Sequence, residues 1–257
     1  MLRNEIKIFF TALMFYTRIP VSTNLPYSDE LLNRSTRFFP FIGWIVGGIG
    51  AVVFFGLHFI VPTQLAILLS MSATIFVTGA FHEDGFADFC DGFGGGYTRE
   101  RILTIMKDSR IGTYGSIGLF GILAVKFTSL NAITPEKIAI LMIAGHALSR
   151  IPPVLTIFTS RYSRDDATSK TKPIGKKSKT SDLIIALIFG VLPIAMFFPE
   201  FTLYIIPALL LTTSLFSRYI TNKLGGYTGD CLGALQQIAE VEIYLGFIIF
   251  LTVQPCS

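Results

Sequence analysis

Seven long apolar runs dominate this chain. They lie at about 41–61, 64–81, 111–132, 138–159, 183–198, 201–217 and 239–253 of 257 residues. Each approaches or reaches the ~20 residues that an α-helix needs to cross a ~30 Å hydrocarbon core. In lipid a backbone must satisfy its own hydrogen bonds, so only helices or closed barrels cross. Barrel strands alternate polar and apolar residues, and these runs do not. Only 15% of residues are charged, against about 25% in soluble domains. The expected fold is an all-α polytopic membrane bundle of about seven spans, a single catalytic domain over 1–257. The fifth and sixth runs are short and separated by Pro199-Glu200, which reads as a tight helical hairpin. Residues 4–20 carry Arg3, Lys7 and Arg18 at their margins. They read as an interfacial or partly inserted helix, with a full span as the alternative.

The distribution of charge orients the bundle. Arg161, Arg164, Lys170, Lys172, Lys176, Lys177 and Lys179 fall in segment 161–182. Arg99, Arg101, Lys107 and Arg110 fall in 82–110, and Arg218 and Lys223 in 218–238. The other connections have almost no basic residues apart from Lys137. The positive-inside rule places the three basic segments in the cytoplasm, with the N-terminus inside and the C-terminus outside. That points to the bacterial inner membrane with the functional face turned to the cytoplasm. The run 164–179 reads as a topology determinant touching anionic lipid, or as an attractor of polyanionic substrate. Cys90, Cys231 and Cys256 have no paired or metal-ligand spacing, so no disulfide framework is expected. No cleavable signal peptide is evident.

The chemistry is concentrated after the second run, in Phe81-His-Glu-Asp-Gly-Phe-Ala-Asp-Phe-Cys-Asp-Gly-Phe-Gly-Gly-Gly96. Asp84, Asp88 and Asp91 are spaced i, i+4, i+7. On a helix they fall within about 60° of one another and form one stripe. Such carboxylates repel unless a cation sits among them. Mg²⁺ suits this setting, because it is often shared between a few carboxylates and a substrate phosphate. The three Asp residues are therefore the expected metal ligands. Gly94, Gly95 and Gly96 follow, where backbone N–H groups are expected to approach a phosphate.

Further candidates lie on the same side. Lys107-Asp108-Ser109-Arg110 ends a short amphipathic segment, and Lys107 and Arg110 are natural phosphate partners. Asp108 is expected to orient Arg110 or to help with the metal. Gly225-Gly-Tyr-Thr-Gly-Asp-Cys-Leu-Gly-Ala234 is a second glycine-rich acidic turn. Its Asp230 is expected to contact a second metal or the nucleophilic substrate, and Thr228 that substrate; helix capping is the ordinary role of such an Asp. Arg150 lies within an apolar run, four residues after His146. A charge at that depth is costly, and Arg150 is expected to serve the site or pair with an Asp. Glu240 and Glu242 read as charges at the start of the last helix.

Together these segments resemble the adenosylcobinamide-GDP ribazoletransferase, or cobalamin 5′-phosphate synthase, family. The matching residues are Thr17-Arg-Ile-Pro20, Phe39-Pro-Phe-Ile-Gly43, His82-Glu-Asp-Gly-Phe-Ala-Asp88, Asp91-Gly-Phe-Gly-Gly-Gly96, Ile105-Met-Lys-Asp-Ser-Arg-Ile-Gly112 and Gly225-Gly-Tyr-Thr-Gly-Asp-Cys-Leu-Gly-Ala234. They follow the family order across nearly the whole chain. Glu83 adds one carboxylate of open role. The resemblance implies an Mg²⁺-dependent membrane enzyme that assembles the lower nucleotide loop late in cobalamin biosynthesis. It would join adenosylcobinamide-GDP to α-ribazole or its 5′-phosphate and release GMP, with Asp91 or Asp108 as the general base toward the attacking ribose hydroxyl. Its partners would be these small molecules and the lipid bilayer, with no nucleic acid; a homo-oligomer is possible within this reading. The alternatives are a CDP-alcohol phosphotransferase-like enzyme, whose pattern spaces its acids differently, and a cation transporter, which would place carboxylates mid-membrane.

Overall fold

Where an apolar run meets glycine or proline, the chain breaks or turns, and these breaks shape the molecule. The structure is a computed structural model that describes residues 2–21, 28–163 and 179–253. Arg164, Lys170, Lys172, Lys176 and Lys177 of the basic run lie outside the described residues. Helices α1 (Leu2–Tyr16) and α2 (Asp29–Ser35) lead through a 3-10 turn into α3 (Phe39–His58). Then come α4 (Thr63–Thr78), α5 (Phe81–Gly95), α6 (Arg99–Ile105) and α7 (Thr113–Asn131). The remainder is α8 (Pro135–Leu148), α9 (Ile151–Thr159), α10 (Thr180–Phe197), α11 (Pro199–Leu224) and α12 (Gly229–Val253). Every described element is helical. Six helical stretches are long and apolar enough to cross a membrane, or seven if the bent pair α4–α5 is one span. The seven-span expectation and the α10–α11 hairpin are both present.

Three features position the site. First, α4 ends at Gly79 and Ala80, both left-handed (φ 64° and 56°), and α5 leaves at 88° to α4. The acidic motif therefore runs across α4's direction instead of prolonging it. Second, the run 138–159 is not one helix. Pro152 and Pro153 cannot donate backbone hydrogen bonds, and the chain breaks at Ser149-Arg150 between α8 and α9. Third, α12 begins ten residues before the last apolar run. At 25 residues it is about 38 Å long, so its first turns extend beyond a ~30 Å core.

Helix packing relies on close backbone approach. A Cβ on Gly43 or Gly47 of α3 would collide with the α8 backbone at His146 and Met142. In lipid, where burial gives little drive between helices, such small-residue seams let van der Waals contact hold them. Helix α1 buries Ile8, Ala12 and Tyr16, with Tyr16 stacked on Phe39 at 4.2 Å. Its polar side is pinned by Arg37, which reaches Glu5 at 2.9 Å and Asp182 of α10 at 2.8 Å. The N-terminal helix is thus tied to the start of α3 and of α10.

Candidate active site

Described parts of the three basic connections meet: Arg99, residues 161–163 and the turn after Leu224. Arg99 donates from Nε to Leu224 O (2.8 Å) and from Nη2 to Ser163 O (2.6 Å). Tyr227 N–H donates to Arg161 O (2.9 Å), and Ser163 N–H to Tyr227 O (2.8 Å). Arg99, which from sequence is one basic residue among several, is a clasp. It caps the C-terminus of α11 and binds segment 161–163 to the second glycine-rich turn.

Helices α5 and α12 cross here with almost no space between them. A Cβ on Gly85 would stand 3.2 Å from both Cα and the carbonyl oxygen of Asp230. A Cβ on Gly233 would stand 3.2 Å from His82 O. The crossing therefore sets the backbone of Asp230 directly against Gly85, on the helix that carries Asp84 and Asp88. Asp84 is exposed, while Asp88 and Asp230 are half-buried. The first and second acidic motifs, 146 residues apart in the chain (Asp84 to Asp230), share one place.

The third residue of the stripe has another task. Asp91 is 9% exposed and accepts Gly112 N–H at 2.6 Å and Gly115 N–H at 2.8 Å. It satisfies the unpaired N–H groups that open α7, as a capping carboxylate does. The same contact fixes the Lys107–Gly112 segment against α5. Asp108 is held by Arg110, which donates from Nη2 (2.7 Å), Nε and its backbone N–H. These bonds hold the Asp108 carboxyl down at about 2. A carboxylate with that affinity is a poor proton acceptor at neutral pH. Both expected general bases, Asp91 and Asp108, are thus engaged by hydrogen bonds in this structure. Arg110 itself is 87% exposed and Lys107 is exposed, so both can reach an anion from solvent.

Two expectations are corrected. Gly94–Gly96 do not form an open phosphate cradle. Helix α5 runs through Gly95, and Gly96 N–H donates to Gly92 O at 2.9 Å. Glycine is required there by packing, since a Cβ on Gly94 would meet the Tyr114 ring at 2.5 Å. Thr228 is fully buried and caps α12, its hydroxyl accepting Cys231 N–H at 3.3 Å. It stands 3.4 Å from Asp230 Oδ2 and orients that carboxylate from below.

Arg150 is also elsewhere. It is 1% exposed, donates to His146 O and lies 5.3 Å from the Phe39 ring centre. The helix break frees the His146 carbonyl, because Arg150 N–H turns to Ala147 O, and the guanidinium takes that carbonyl up. Arg150 belongs to an interior polar cluster that sequence reasoning missed. Lys126 of α7 pairs with Glu240 of α12 at 3.2 Å, and Tyr244 and Gln236 donate to Glu240 at 3.1 and 2.9 Å. His146 Nε2 lies 3.5 Å from Glu240. Gln237 donates to Glu83 at 3.0 Å and accepts from Lys126 at 2.9 Å. The cavity these groups surround is about 10 Å³, too small for any substrate. Sequence gave one signal for it: charged and amide residues inside apolar runs, which in lipid must face one another.

A hard cation fits the exposed end by the chemistry of its donors. Asp84, Asp88 and Asp230 offer carboxylate oxygens only, beside exposed cations suited to phosphate. Among the described residues, no three His, Cys, Asp or Glu side chains converge as a ready-made metal cage. Mg²⁺ needs none: it commonly binds through one or two carboxylates plus substrate phosphate and water.

Comparison with known proteins supplies the family. The family model described as cobalamin-5-phosphate synthase matches residues 8–248. Adenosylcobinamide-GDP ribazoletransferase of Ralstonia pickettii is 44% identical over 98% of both chains. The protein of the same name from Shewanella amazonensis is 43% identical over 96% of both. That from Vibrio parahaemolyticus is 40% identical over 97% of this chain and 94% of its own. No solved structure matches significantly. Over nearly its whole length, the chain belongs to the cobalamin-5-phosphate synthase family.

Proposed function

We propose that this chain is a membrane transferase that joins adenosylcobinamide-GDP to α-ribazole or α-ribazole 5′-phosphate. A ribose hydroxyl attacks the phosphorus bound to the cobinamide arm. The bond to the GMP oxygen breaks, GMP leaves, and the hydroxyl proton passes to a carboxylate or water. The observation that carries this reading is the backbone contact of Asp230 with Gly85, which brings the second acidic turn onto the helix of Asp84 and Asp88, while Asp91 of the same helix holds the segment after Lys107 and Arg110 at Gly112.

The residues divide the work by position. Asp84 and Asp88, with Asp230 across the crossing, would hold Mg²⁺. That ion supplies neutralisation of phosphate charge, the main demand of phosphoryl transfer. Arg110 exchanges its grip on Asp108 for a phosphate of the donor, with its planar fork matched to both. Lys107 adds a second cation. Asp91 takes no part in metal binding on this reading; it holds the Lys107–Gly112 segment in place through the start of α7. On this reading the site end faces the cytoplasm of a bacterial cell, the side on which the positive-inside rule expects the basic connections and on which nucleotide donors are found.

The test is purified protein in detergent with adenosylcobinamide-GDP, α-ribazole and Mg²⁺. Cobalamin and GMP should appear in equal amounts. CMP release from a CDP-alcohol, without GMP from the corrinoid donor, would favour the other phosphotransferase class. Orientation is checked by a cysteine at Arg101 in a background without native cysteines. It should react only with a membrane-permeant reagent in intact cells; labelling by an impermeant one contradicts the cytoplasmic face.

A further inference from the structure

We propose that Glu83 is a positioning residue. Clamped by Gln237, it sets the register of α5 against α12, and with it the spacing of Asp84 and Asp88 from Asp230. This rests on the reading above, that those three acids form the site.

Glu83 and Asp84 are neighbours in sequence with opposite surroundings. Asp84 is exposed, and Glu83 is 7% exposed and turned into the bundle. Glu83 Oε1 accepts from Gln237 Nε2 at 3.0 Å. Gln237 is itself held from two sides: Lys126 Nζ donates to its oxygen at 2.9 Å, and its second N–H reaches Gln236 Oε1 at 2.9 Å. Gln236 in turn donates to Ser149 Oγ at 3.0 Å. The amide that grips Glu83 is therefore fixed to α7, and through Gln236 to the α8–α9 break.

The clamp sits where it can control the site. Gln237 follows Asp230 by seven residues, two turns along the same face of α12. Glu83 precedes Asp84 by one. Between them lies the glycine crossing of Gly85 and Gly233, which brings the backbones together but has no side chain to resist sliding. One residue of slip along a helix is about 1.5 Å, and about 1 Å of misplacement can cost ~10²-fold in rate. Glu83 supplies the stop that the glycines lack. It does not touch substrate, since its carboxylate faces a cavity of about 10 Å³ inside the bundle.

The competing role is charge balance against Lys126 and Arg150, and two conservative variants separate the two. Glu83→Gln removes the charge but keeps the length and the oxygen that Gln237 grips. Glu83→Asp keeps the charge but shortens the reach by one methylene. Positioning predicts that Gln stays within about fivefold of the parent kcat and that Asp falls at least tenfold. Donor KM should move less than threefold in either. Adding Gln237→Leu to Glu83→Asp should lower kcat by no more than a further twofold, because the contact is already lost. An Asp variant that equals or exceeds the Gln variant, or multiplying losses in the double variant, would overturn the positioning role while leaving the reaction standing. A parent protein that releases no GMP would overturn both.

Discussion

Two polar regions lie side by side in this molecule, and the boundary between them falls between Glu83 and Asp84. On one side, Asp84, Asp88, Asp230, Lys107 and Arg110 are exposed or half-buried. On the other, Glu83, Lys126, Gln236, Gln237 and Glu240 are 7% exposed or less and bonded to one another. The residue types are nearly the same. What differs is solvent and satisfaction. Carboxylates near water can exchange partners and so can take a cation and a phosphate. Carboxylates in a low-dielectric interior have to be paired at all times, and so serve to hold helices. One helix, α5, carries a carboxylate of each kind on adjacent residues.

The comparison breaks most sharply at Glu240. Glu240→Leu leaves the buried Lys126 with only the neutral Gln237 and no carboxylate, which should cost about 3–5 kcal/mol. Thermal melting in detergent should show a large fall. The double variant Lys126→Met, Glu240→Leu should recover much of it, since a neutral apolar pair needs no compensation. A Glu240→Leu protein as stable as the parent would mean that the interior network bears no strain.

Smaller changes are expected at the exposed end. Arg110→Lys keeps charge but loses the fork. It should weaken use of adenosylcobinamide-GDP by about tenfold, near 1.4 kcal/mol, with α-ribazole little affected. Asp230→Asn should show the opposite bias or a changed Mg²⁺ requirement. Kinetics with each substrate varied in turn decides this, and equal losses toward both substrates with an unaltered Mg²⁺ response would remove the division.

The bend between α4 and α5 offers a stabilising change. Ala80 occupies the left-handed region at φ 56°. Ala80→Gly should relieve about 1 kcal/mol and raise the melting midpoint without altering kcat. The smallest effect concerns pH. The folded-state carboxyl of Asp108 titrates near 2, below its ordinary range. Its contact with Arg110 is complete above about pH 4 and is lost only as pH falls through about 2. Asp108→Asn should therefore leave the shape of the rate profile between pH 5 and 9 unchanged. An altered limb in that window would restore Asp108 as the base.

Much of this was readable in the sequence, and the failures have physical causes. Apolar length gave the spans, because lipid permits few alternatives. The i, i+4, i+7 spacing gave the α5 stripe. Asp91 left that stripe because the open end of α7 competes for it, and that contact lies 21 residues away in the chain. The glycine run resembled a phosphate loop, yet its reason is the ring of Tyr114, which no local pattern announces. Glu240 was read as a helix-start charge because the apolar run begins at 239. The helix begins at Gly229, which puts Glu240 well inside it, among partners from other helices.

The central claim is that catalysis belongs to the exposed carboxylates and stability to the buried ones. The most direct measurement is turnover and melting midpoint, together, for Asp84→Asn and Asp88→Asn. Each should lower GMP release by ~10²-fold or more, about 3 kcal/mol of barrier, with the midpoint within a few degrees of the parent. Near-parental release at limiting Mg²⁺ from both variants would contradict it.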